Sequence, residues 1–376
     1  MKNETTKKIA IVYDWIDKWG GVERILLTLH KMLPNAIFYT SYFDQETASW
    51  AKDLNIKTSF LQKFPSFIKK SRILSFPFYP FIFESFNFSN YDLVISVTSS
   101  FAKSIITKPG TRHLCYLLTP TRYFWSHQDD YLRNKLINYL VGGYLDYIKK
   151  WDYVTAQRPD KIISISETVR NRCLKYYKRD SEVVYPGFDL DYWQKIKLKI
   201  NNEKLKVQLK IKNYYLIVSR LEQYKRVDLA IKVFNKLNKH LIIVGAGSQK
   251  DKLKQIASDN ITFQSKLSDF ELGNLYSNAQ ALIMPQEEDF GYVSLEAQFF
   301  GCPVIAYKKG GATETVIDGK TGIFFNRQKE MSLRRAIERF NRIEYNLKES
   351  ILKLGLKNIE RFSRVGFGKE FIDEVK

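Results

Sequence analysis

A short apolar run, an acidic loop and a glycine follow one another in the C-terminal half of the chain and restrict how it can fold. The run Ala281–Met284 is closed by Pro285, and Gly291 then precedes a new apolar segment. Glycine lets a ligand approach the backbone closely. The first N–H groups of a helix have no partner within the helix, so they attract anions such as phosphate. The stretch therefore predicts a strand, a polar loop and a helix with an anion site at its start.

Two glutamates lie on either side of this helix start, Glu288 in the loop and Glu296 just over one turn into the helix. A carboxylate does not bind phosphate, but it accepts hydrogen bonds from hydroxyl groups, as a sugar or a ribose requires. The spacing indicates a site for a phosphorylated sugar. A surface loop followed by an ordinary helix of an α/β protein would have the same spacing, so this stretch alone leaves both interpretations open.

The segments that follow make the pattern more specific. The E-x-F-G-x-x-x-x-E pattern at 288–296 is followed by G-C-P-V-I-A at 301–306 and G-G-x-x-E at 310–314. In this order the three segments closely resemble the nucleotide-sugar site of family 4 glycosyltransferases, which have the GT-B fold. The resemblance implies an α/β protein with two Rossmann-like, doubly wound parallel-sheet domains that face a central cleft. It also implies a C-terminal helix that crosses back to the first domain.

The same resemblance assigns roles to single residues of this region. Glu288 would orient the hydroxyls of the donor sugar and act in catalysis, while Glu296 would bind the ribose. The donor site would also include the residues between them that lead into the helix, Phe290, Gly291 and Tyr292. The family holds the nucleobase largely through backbone groups of the loop that corresponds to 264–267 here, so Leu267 belongs to the predicted donor site.

Two cations lie beyond the strand predicted at Tyr214–Val218, Arg220 close to its end and Lys225 at the start of the next helix. Open α/β sheets bind ligands at the carboxyl ends of their strands. Two cations placed there could neutralise a diphosphate, and arginine offers a bidentate fork. Either residue alone could equally form a surface salt bridge. Together they resemble the R-x-x-x-x-K diphosphate pair of the family, which implies donor-binding and catalytic roles for both.

The N-terminal segment repeats the order of strand, glycine loop and helix. Ile9–Tyr13 predicts a buried strand, and Gly20-Gly21 then precedes an amphipathic helix from about Val22 to Met32. A lone Gly-Gly pair would usually be only a turn. The whole segment resembles the G-G-x-E loop of the same family, which faces the donor across the cleft between the domains. The resemblance therefore implies that Gly20 and Gly21 are donor-binding residues.

A third segment, Thr119–Trp125, follows the strand predicted at His113–Leu118. It resembles the Y-C-H-T-P-x-R-Y-x-W segment of a mannosyltransferase-like branch of the family and implies that Arg122 and Tyr123 lie on the acceptor side. Leu118 stands where that branch has a histidine, and leucine neither donates a hydrogen bond nor takes up a proton. His127 is a candidate replacement, although a surface histidine is the simpler interpretation.

The chain length of 376 residues predicts two domains rather than one. We expect the first at 1–187 with a returning helix at about 357–376, and the second at 188–356. Three widely spaced cysteines fit neither a disulfide framework nor a metal site and point to a reducing cytoplasm. The D-x-D pattern at 189–191 lies in the expected connection between domains, and the family needs no metal, so we predict none.

The net charge of +20 is the unusual feature of the composition. Such an excess attracts polyanions, whether nucleic acid or an anionic lipid leaflet, although a generally basic surface would explain it equally well. The aromatic and basic stretch 60–88 could line the core or face lipid headgroups. No nucleic-acid-binding module is recognisable. We therefore predict a cytoplasmic protein that binds peripherally to the inner, anionic face of the cytoplasmic membrane, and no specific nucleic acid.

The resemblance as a whole predicts a retaining, metal-independent transferase without a cofactor. It would move a hexose, preferably mannose, from a nucleotide-sugar to a glycan or lipid-linked acceptor in cell-surface polysaccharide or glycolipid synthesis. GDP-mannose is the favoured donor, and a UDP-sugar is possible. The alternative is a catalytically impaired protein of the same fold that serves as a membrane- or polyanion-binding scaffold. The charge and Leu118 favour that alternative, whereas the complete set Arg220, Lys225, Glu288 and Glu296 opposes it.

Overall fold

The computed structural model describes residues 7–126, 135–203 and 213–375. The chain divides into two compact units, one of Met1–Pro186 with Gly368–Lys376 and one of Gly187–Phe367. The return to the first unit thus occurs at Gly368 rather than at the expected 357. Residues 357–360 complete the last long helix of the second unit, which ends at Glu360, and Ser363 forms a β-bridge with Phe188 of the same unit.

The first unit is built on a seven-stranded sheet in the order β3-β2-β1-β4-β5-β6-β7. All neighbouring strands pair in parallel. Most of the strands are buried, as expected for a parallel sheet covered on both faces. The strands are β1 Ile9–Tyr13, β2 Ile37–Thr40, β3 Ile56–Thr58, β4 Leu93–Thr98, β5 Arg112–Leu117, β6 Lys161–Ser164 and β7 Glu182–Val183.

Helices connect these strands. Ser166 caps the helix after β6, because its side chain accepts a hydrogen bond from the Val169 N–H at 3.1 Å. The α-helices are Gly21–Met32, Ser66–Lys69, Tyr79–Glu84, Arg122–Trp125, Lys135–Thr155 and Glu167–Tyr177, and the 3₁₀ turns are Ser49–Ala51, Phe60–Lys63, Phe76–Phe78 and Ala102–Ser104.

The second unit has a six-stranded, fully parallel sheet in the order β10-β9-β8-β11-β12-β13. Its strands are β8 Tyr214–Val218, β9 His240–Val244, β10 Ile261–Gln264, β11 Leu282–Met284, β12 Val304–Tyr307 and β13 Gly322–Phe325. Its helices are Leu190–Glu203, Val227–Leu237, Lys250–Gln255, Asp269–Asn278, Tyr292–Phe299, Ala312–Thr315, Glu330–Glu360 and the start of Arg364–Val375, with a 3₁₀ turn at Gln223–Lys225. The prediction of two Rossmann-like domains is confirmed.

The strand order of the second sheet reverses direction between β8 and β11. In doubly wound sheets the crevice at such a switch point, beyond the carboxyl ends of the strands, is where ligands bind. The loops that leave β8 and β11 are therefore the part of this unit in which a site is expected.

One helix was not predicted. The helix Leu190–Glu203 lies in the expected connection between the domains and extends into a lysine-rich stretch, of which 204–212 lies outside the described residues. Trp193 and Ile200 of this helix are buried. Two apolar positions seven residues apart lie on one helix face, but the surrounding lysines obscure that periodicity in the sequence.

Candidate functional site

An ion pair between a buried lysine and a partly buried glutamate joins the loops that leave β8 and β11. The Nζ atom of Lys225 lies 2.6 Å from Oε1 of Glu288, and Lys225 is only 6% exposed. Lys225 does not start the next helix, as predicted, but ends the 3₁₀ turn Gln223–Lys225, and the helix begins at Val227. The structure thus brings a predicted cation and a predicted carboxylate into contact at the switch point of the sheet.

A second donor binds the same oxygen of Glu288. Nε2 of Gln286 lies 2.7 Å from Oε1 of Glu288, whereas Oε2 of Glu288 accepts no hydrogen bond from the described residues. Gln286 is 2% exposed, and the Oε1 atom of its side-chain amide has no partner in the described part of the chain. No sequence pattern predicted a role for Gln286. The available signal was a polar residue placed directly after a buried strand and Pro285.

Glu288 is held in its ionised form. Burial by itself would raise the pKa of this carboxyl, but attraction to Lys225 and the hydrogen bonds from Lys225 and Gln286 outweigh burial and bring the pKa below its usual value. Glu288 is therefore an acceptor at neutral pH, with one oxygen occupied by protein donors. A hydroxyl group of a ligand is a suitable partner for the other oxygen.

The helix Tyr292–Phe299 begins directly after this loop. Its N-cap is Gly291, which has a left-handed backbone with φ of 93° that favours glycine. The side chain of Phe290 is buried against the rings of Tyr292 and Phe362, at centroid distances of 5.2 and 5.4 Å. Of the predicted donor residues here, Gly291 occupies the helix start, while the side chain of Phe290 belongs to the core.

The G-G-x-x-E loop packs on the backbone of the Glu288 loop. The Gly311 N–H donates to the Glu288 carbonyl at 2.8 Å, and Gly310 has φ of 74°. A Cβ atom on Gly310 would lie 2.3 Å from the Glu288 carbonyl oxygen, and one on Gly311 would lie 2.3 Å from the Phe290 carbonyl oxygen. The two glycines are needed because only hydrogen fits between these backbones.

Glu296 is buried in the same helix, and the hydroxyl of the fully buried Tyr276 lies 3.0 Å from its Oε2 atom. The structure thus shows a buried hydrogen-bonded pair at the position predicted to bind ribose. Leu267 lies in the loop after β10, two strands away from β8 in the sheet, and follows Lys266, whose φ is 59°. None of the described contacts joins Leu267 to Glu288.

The two predicted diphosphate-binding cations contact the same aromatic residue. Nη2 of Arg220 lies 2.6 Å from the hydroxyl of Tyr224. The Arg220 guanidinium lies 6.0 Å and the Lys225 ammonium 5.1 Å from the centroid of its ring. Arg220 is exposed, whereas Lys225 is buried. Tyr224, for which no sequence pattern predicted a role, thus holds the exposed cation close to the buried one.

In the first unit, the predicted glycines begin the helix Gly21–Met32, and Gly20 is its N-cap with an extended backbone. A Cβ atom on Gly20 would meet Oε2 of Glu23 at 3.0 Å. Glu23 is itself buried, and burial raises the pKa of its carboxyl. The structure thus supplies a local packing reason for Gly20, and its predicted role in donor binding stays a prediction.

The predicted acceptor-side segment of the first unit is anchored by a buried carboxylate. Asp152 accepts hydrogen bonds from Thr121 Oγ1 at 2.7 Å, Trp125 Nε1 at 2.8 Å and Lys103 Nζ at 2.6 Å. These contacts bracket Arg122 and Tyr123 within the helix Arg122–Trp125. Lys103 and Asp152 could not be predicted, because a buried ion pair between residues far apart in the sequence leaves no local pattern.

Two further predictions concern this region. His127 lies outside the described residues. Leu118 is buried, and its N–H donates to the carbonyl of Thr98 at 2.8 Å. The position at which the resembled branch has a histidine is therefore a buried apolar position directly after β5.

In the described ranges, no group of three or more His, Cys, Asp or Glu side chains is arranged to hold a metal ion. In the D-x-D pattern, Asp189 forms an ion pair with Arg364 at 2.5 Å. Across the same ranges, no helix is both long enough and apolar enough to cross a bilayer.

A pocket of about 390 Å³ lies elsewhere, in the first unit. Its lining includes Ile9 and Ile37, the first residues of β1 and β2, together with Lys57 and Tyr91. None of the predicted site residues lines this pocket. Because doubly wound sheets bind ligands beyond the carboxyl ends of their strands, we place the candidate site at Lys225 and Glu288 rather than here.

Comparisons with known proteins cover most of the chain. The family model Glycosyltransferase Family 4 matches residues 19–192, and Glycosyl transferases group 1 matches residues 200–358. An alpha-1,3/1,6-mannosyltransferase of Dictyostelium discoideum is 24% identical over 378 residues, which cover 87% of this chain and 88% of that protein. A GDP-mannose-dependent alpha-(1-6)-phosphatidylinositol monomannoside mannosyltransferase of Mycolicibacterium smegmatis is 35% identical over 123 residues, 28% of this chain and 32% of that protein.

Solved structures show the same architecture. A crystal structure of an Anabaena protein in complex with UDP-glucose has a TM-score of 0.70 and covers 98% of this chain and 99% of that chain at 17% sequence identity. Sequence identity at this level shows a shared fold and does not identify the ligand of this chain.

Proposed function

This chain belongs to glycosyltransferase family 4 and has the GT-B fold, and from that premise we propose that it moves a hexose from a nucleotide-sugar to a glycan or lipid-linked acceptor. GDP-mannose is the proposed donor, with a UDP-sugar as the second choice. Both aligned relatives named above are mannosyltransferases, and one is GDP-mannose-dependent. UDP-glucose is the ligand of the Anabaena protein, which shares only the fold. We further propose that transfer retains the anomeric configuration and needs no metal ion.

The observation that carries this proposal is the contact of Lys225 with Glu288 at the switch point of the second sheet. One oxygen of Glu288 is free of protein donors within the described residues and suits a sugar hydroxyl. Lys225, Arg220 and the helix start at Gly291 supply positive potential for a diphosphate. Preorganised charge of this kind stabilises a leaving group without reorganisation during the reaction.

In the proposed reaction the bond between the anomeric carbon and the phosphate oxygen breaks, and the acceptor oxygen bonds to the same face of that carbon. The proton of the acceptor hydroxyl passes to the departing phosphate oxygen, and Glu288 orients the hydroxyls of the sugar. Arg220 and Lys225 stabilise the negative charge on the nucleoside diphosphate. Arg122 and Tyr123 are the proposed acceptor-side residues, and no cofactor takes part.

We also propose that the enzyme works on the anionic inner face of the cytoplasmic membrane, in cell-surface polysaccharide or glycolipid synthesis. Large apolar side chains are exposed in the stretch 60–88, at 67% for Phe67, 84% for Ile73 and 66% for Phe81. Apolar side chains on a surface favour a lipid interface, and a net charge of +20 favours an anionic one.

The direct test is release of nucleoside diphosphate by the purified protein from a panel of nucleotide-sugars, read together with thermal shift. We expect release from GDP-mannose, no loss of rate in EDTA, and an α-linked product from the α-linked donor. Binding to the native state alone raises the melting temperature, so the donor that is turned over should also give the largest shift. No release and no shift with any donor would instead support the scaffold alternative.

A further inference from the structure

The buried amide of Gln286 is only half satisfied. Its Nε2 atom donates to Oε1 of Glu288 at 2.7 Å, while its Oε1 atom is buried and has no partner in the described part of the chain. A buried carbonyl without a hydrogen bond is costly and uncommon. An apolar side chain of similar shape would avoid that cost, so folding stability does not explain a glutamine at this position.

The charge of Glu288 explains the orientation of the amide. Lys225 lies 2.6 Å from Oε1 of Glu288 and keeps that carboxylate ionised. If the amide of Gln286 were turned over, its oxygen would face a negatively charged oxygen. Because a carboxylate accepts and an amide NH₂ donates, the nitrogen must point to Glu288. The side-chain carbonyl of Gln286 therefore has no partner because the amide nitrogen must donate to Glu288.

The two donors act on one oxygen of a planar group. Lys225 and Gln286 both bind Oε1 of Glu288, and Oε2 accepts nothing from the described residues. The terminal torsion of a glutamate side chain is broad when it is unrestrained. Two hydrogen bonds to the same oxygen restrict that torsion and fix where the second oxygen lies.

We propose that Gln286 is a positioning residue that, together with Lys225, fixes the carboxylate of Glu288 so that Oε2 faces the hydroxyls of the donor sugar. The inference rests on the proposed function and extends it to a residue that touches the donor only through Glu288. The expected effect concerns the sugar part of the donor and not its nucleotide part. Gln286 affects binding and turnover of the complete nucleotide-sugar and leaves affinity for the nucleoside diphosphate unchanged.

The test variant is Gln286→Met, which keeps the approximate shape and removes both the donor and the unpaired carbonyl. We expect a fall in kcat/KM for GDP-mannose of about 10- to 100-fold, the range for a hydrogen bond to a charged group. The Kd for GDP should stay at its wild-type value. Resistance to urea should be unchanged or higher, because a buried unsatisfied group has been removed.

A pH profile adds a readout that a merely structural role would not change. In the wild-type protein the hydrogen bond from Gln286 helps to lower the pKa of Glu288. Without that bond the pKa rises toward its usual value. As the pH falls, Gln286→Met should therefore lose activity at a higher pH than the wild-type protein does.

Gln298→Met is the matched control. Gln298 is equally buried, but both ends of its amide are paired, with Ser294 O at 3.0 Å, Thr315 O at 2.9 Å and Asn358 Nδ2 at 2.8 Å. This control should lose stability and keep the kcat/KM of the folded enzyme. If the wild-type protein turns over GDP-mannose and Gln286→Met has the same kcat/KM, the role of Gln286 is wrong and the proposed function still holds. A wild-type protein that turns over no donor would overturn the proposed function, and this inference with it.

Discussion

At the scale of single residues, Lys225 combines two roles that the sequence suggested only in part. Its spacing from Arg220 indicated a cation for a diphosphate, and the structure shows it paired with Glu288 at 2.6 Å. An ammonium group has three N–H donors. Lys225 can therefore hold Glu288 and still donate to a phosphate, so the ion pair does not conflict with the predicted role.

The sequence could predict Glu288, Lys225 and Gly291 because each belongs to a short local pattern. Glu288 and Gly291 belong to the E-x-F-G pattern, and Lys225 lies five residues after Arg220. It could not predict which side chains within each loop meet. Gln286 contacts Glu288 two residues away, and Tyr224 contacts Arg220 four residues away. Both contacts depend on the conformation of the loop and on burial, which the residue types alone do not show.

At the scale of secondary structure elements, the loop that carries Glu288 is held by backbone contact rather than by side chains. Gly310 and Gly311 lie against the carbonyls of Glu288 and Phe290. The G-G-x-x-E loop thus has a packing role. It supports the backbone of the E-x-F-G loop.

Alanine substitutions at Gly310 and Gly319 distinguish the effect of a steric clash from the effect of backbone strain. Gly310 and Gly319 both have positive φ, 74° and 72°, so alanine at either position costs about 1–2 kcal/mol of conformational energy. A Cβ atom at Gly310 would clash with the Glu288 backbone, whereas none of the described heavy atoms lies within 4 Å at Gly319. Urea unfolding should show a clearly larger loss of stability for Gly310→Ala, and donor turnover should fall in that variant alone. Equal losses in both variants would contradict the supporting role of the loop.

The element boundaries show where sequence patterns suffice. Continuous apolar runs predicted β1 and β8 with the bounds that the structure has. The helix Leu190–Glu203 was missed because only Trp193 and Ile200 mark its buried face among many lysines. Apolar content thus located buried strands well, whereas a narrow apolar stripe in a charged helix needed the structure.

At the scale of the whole molecule, both sheets are fully parallel and share the order 3-2-1-4-5-6 of a doubly wound fold, the first with an added β7. The family resemblance predicted this architecture, and the chain length predicted only that there would be two domains. Net charge is also a property of the whole molecule. A surplus of +20 acts at a distance and suits association with an anionic surface.

Binding to vesicles tests the proposed membrane surface. We expect sedimentation with phosphatidylglycerol-containing vesicles at low salt, weaker binding at high salt because charges are screened, and little binding to phosphatidylcholine alone. Ile73→Ser and Phe81→Ser should each weaken binding about tenfold, as loss of one buried apolar side chain implies. Leu352→Ser, at a residue of the second unit that is also exposed, is the control and should bind like the wild-type protein. The absence of binding to anionic vesicles at low salt would rule out this partner.

The most direct measurement of the central claim compares donor turnover by the wild-type protein, Glu288→Gln and Glu287→Gln. Glu287 is the matched control, because it lies in the same loop and forms a more exposed ion pair with Lys309 at 3.1 Å. We predict that Glu288→Gln lowers kcat/KM for GDP-mannose by about 10²-fold or more, as expected for loss of a polar contact made in the transition state. Glu287→Gln should stay within about threefold of the wild-type value, in line with the small contribution of exposed ion pairs. Undiminished turnover in Glu288→Gln, or equal losses in the two variants, would contradict the assignment of this site.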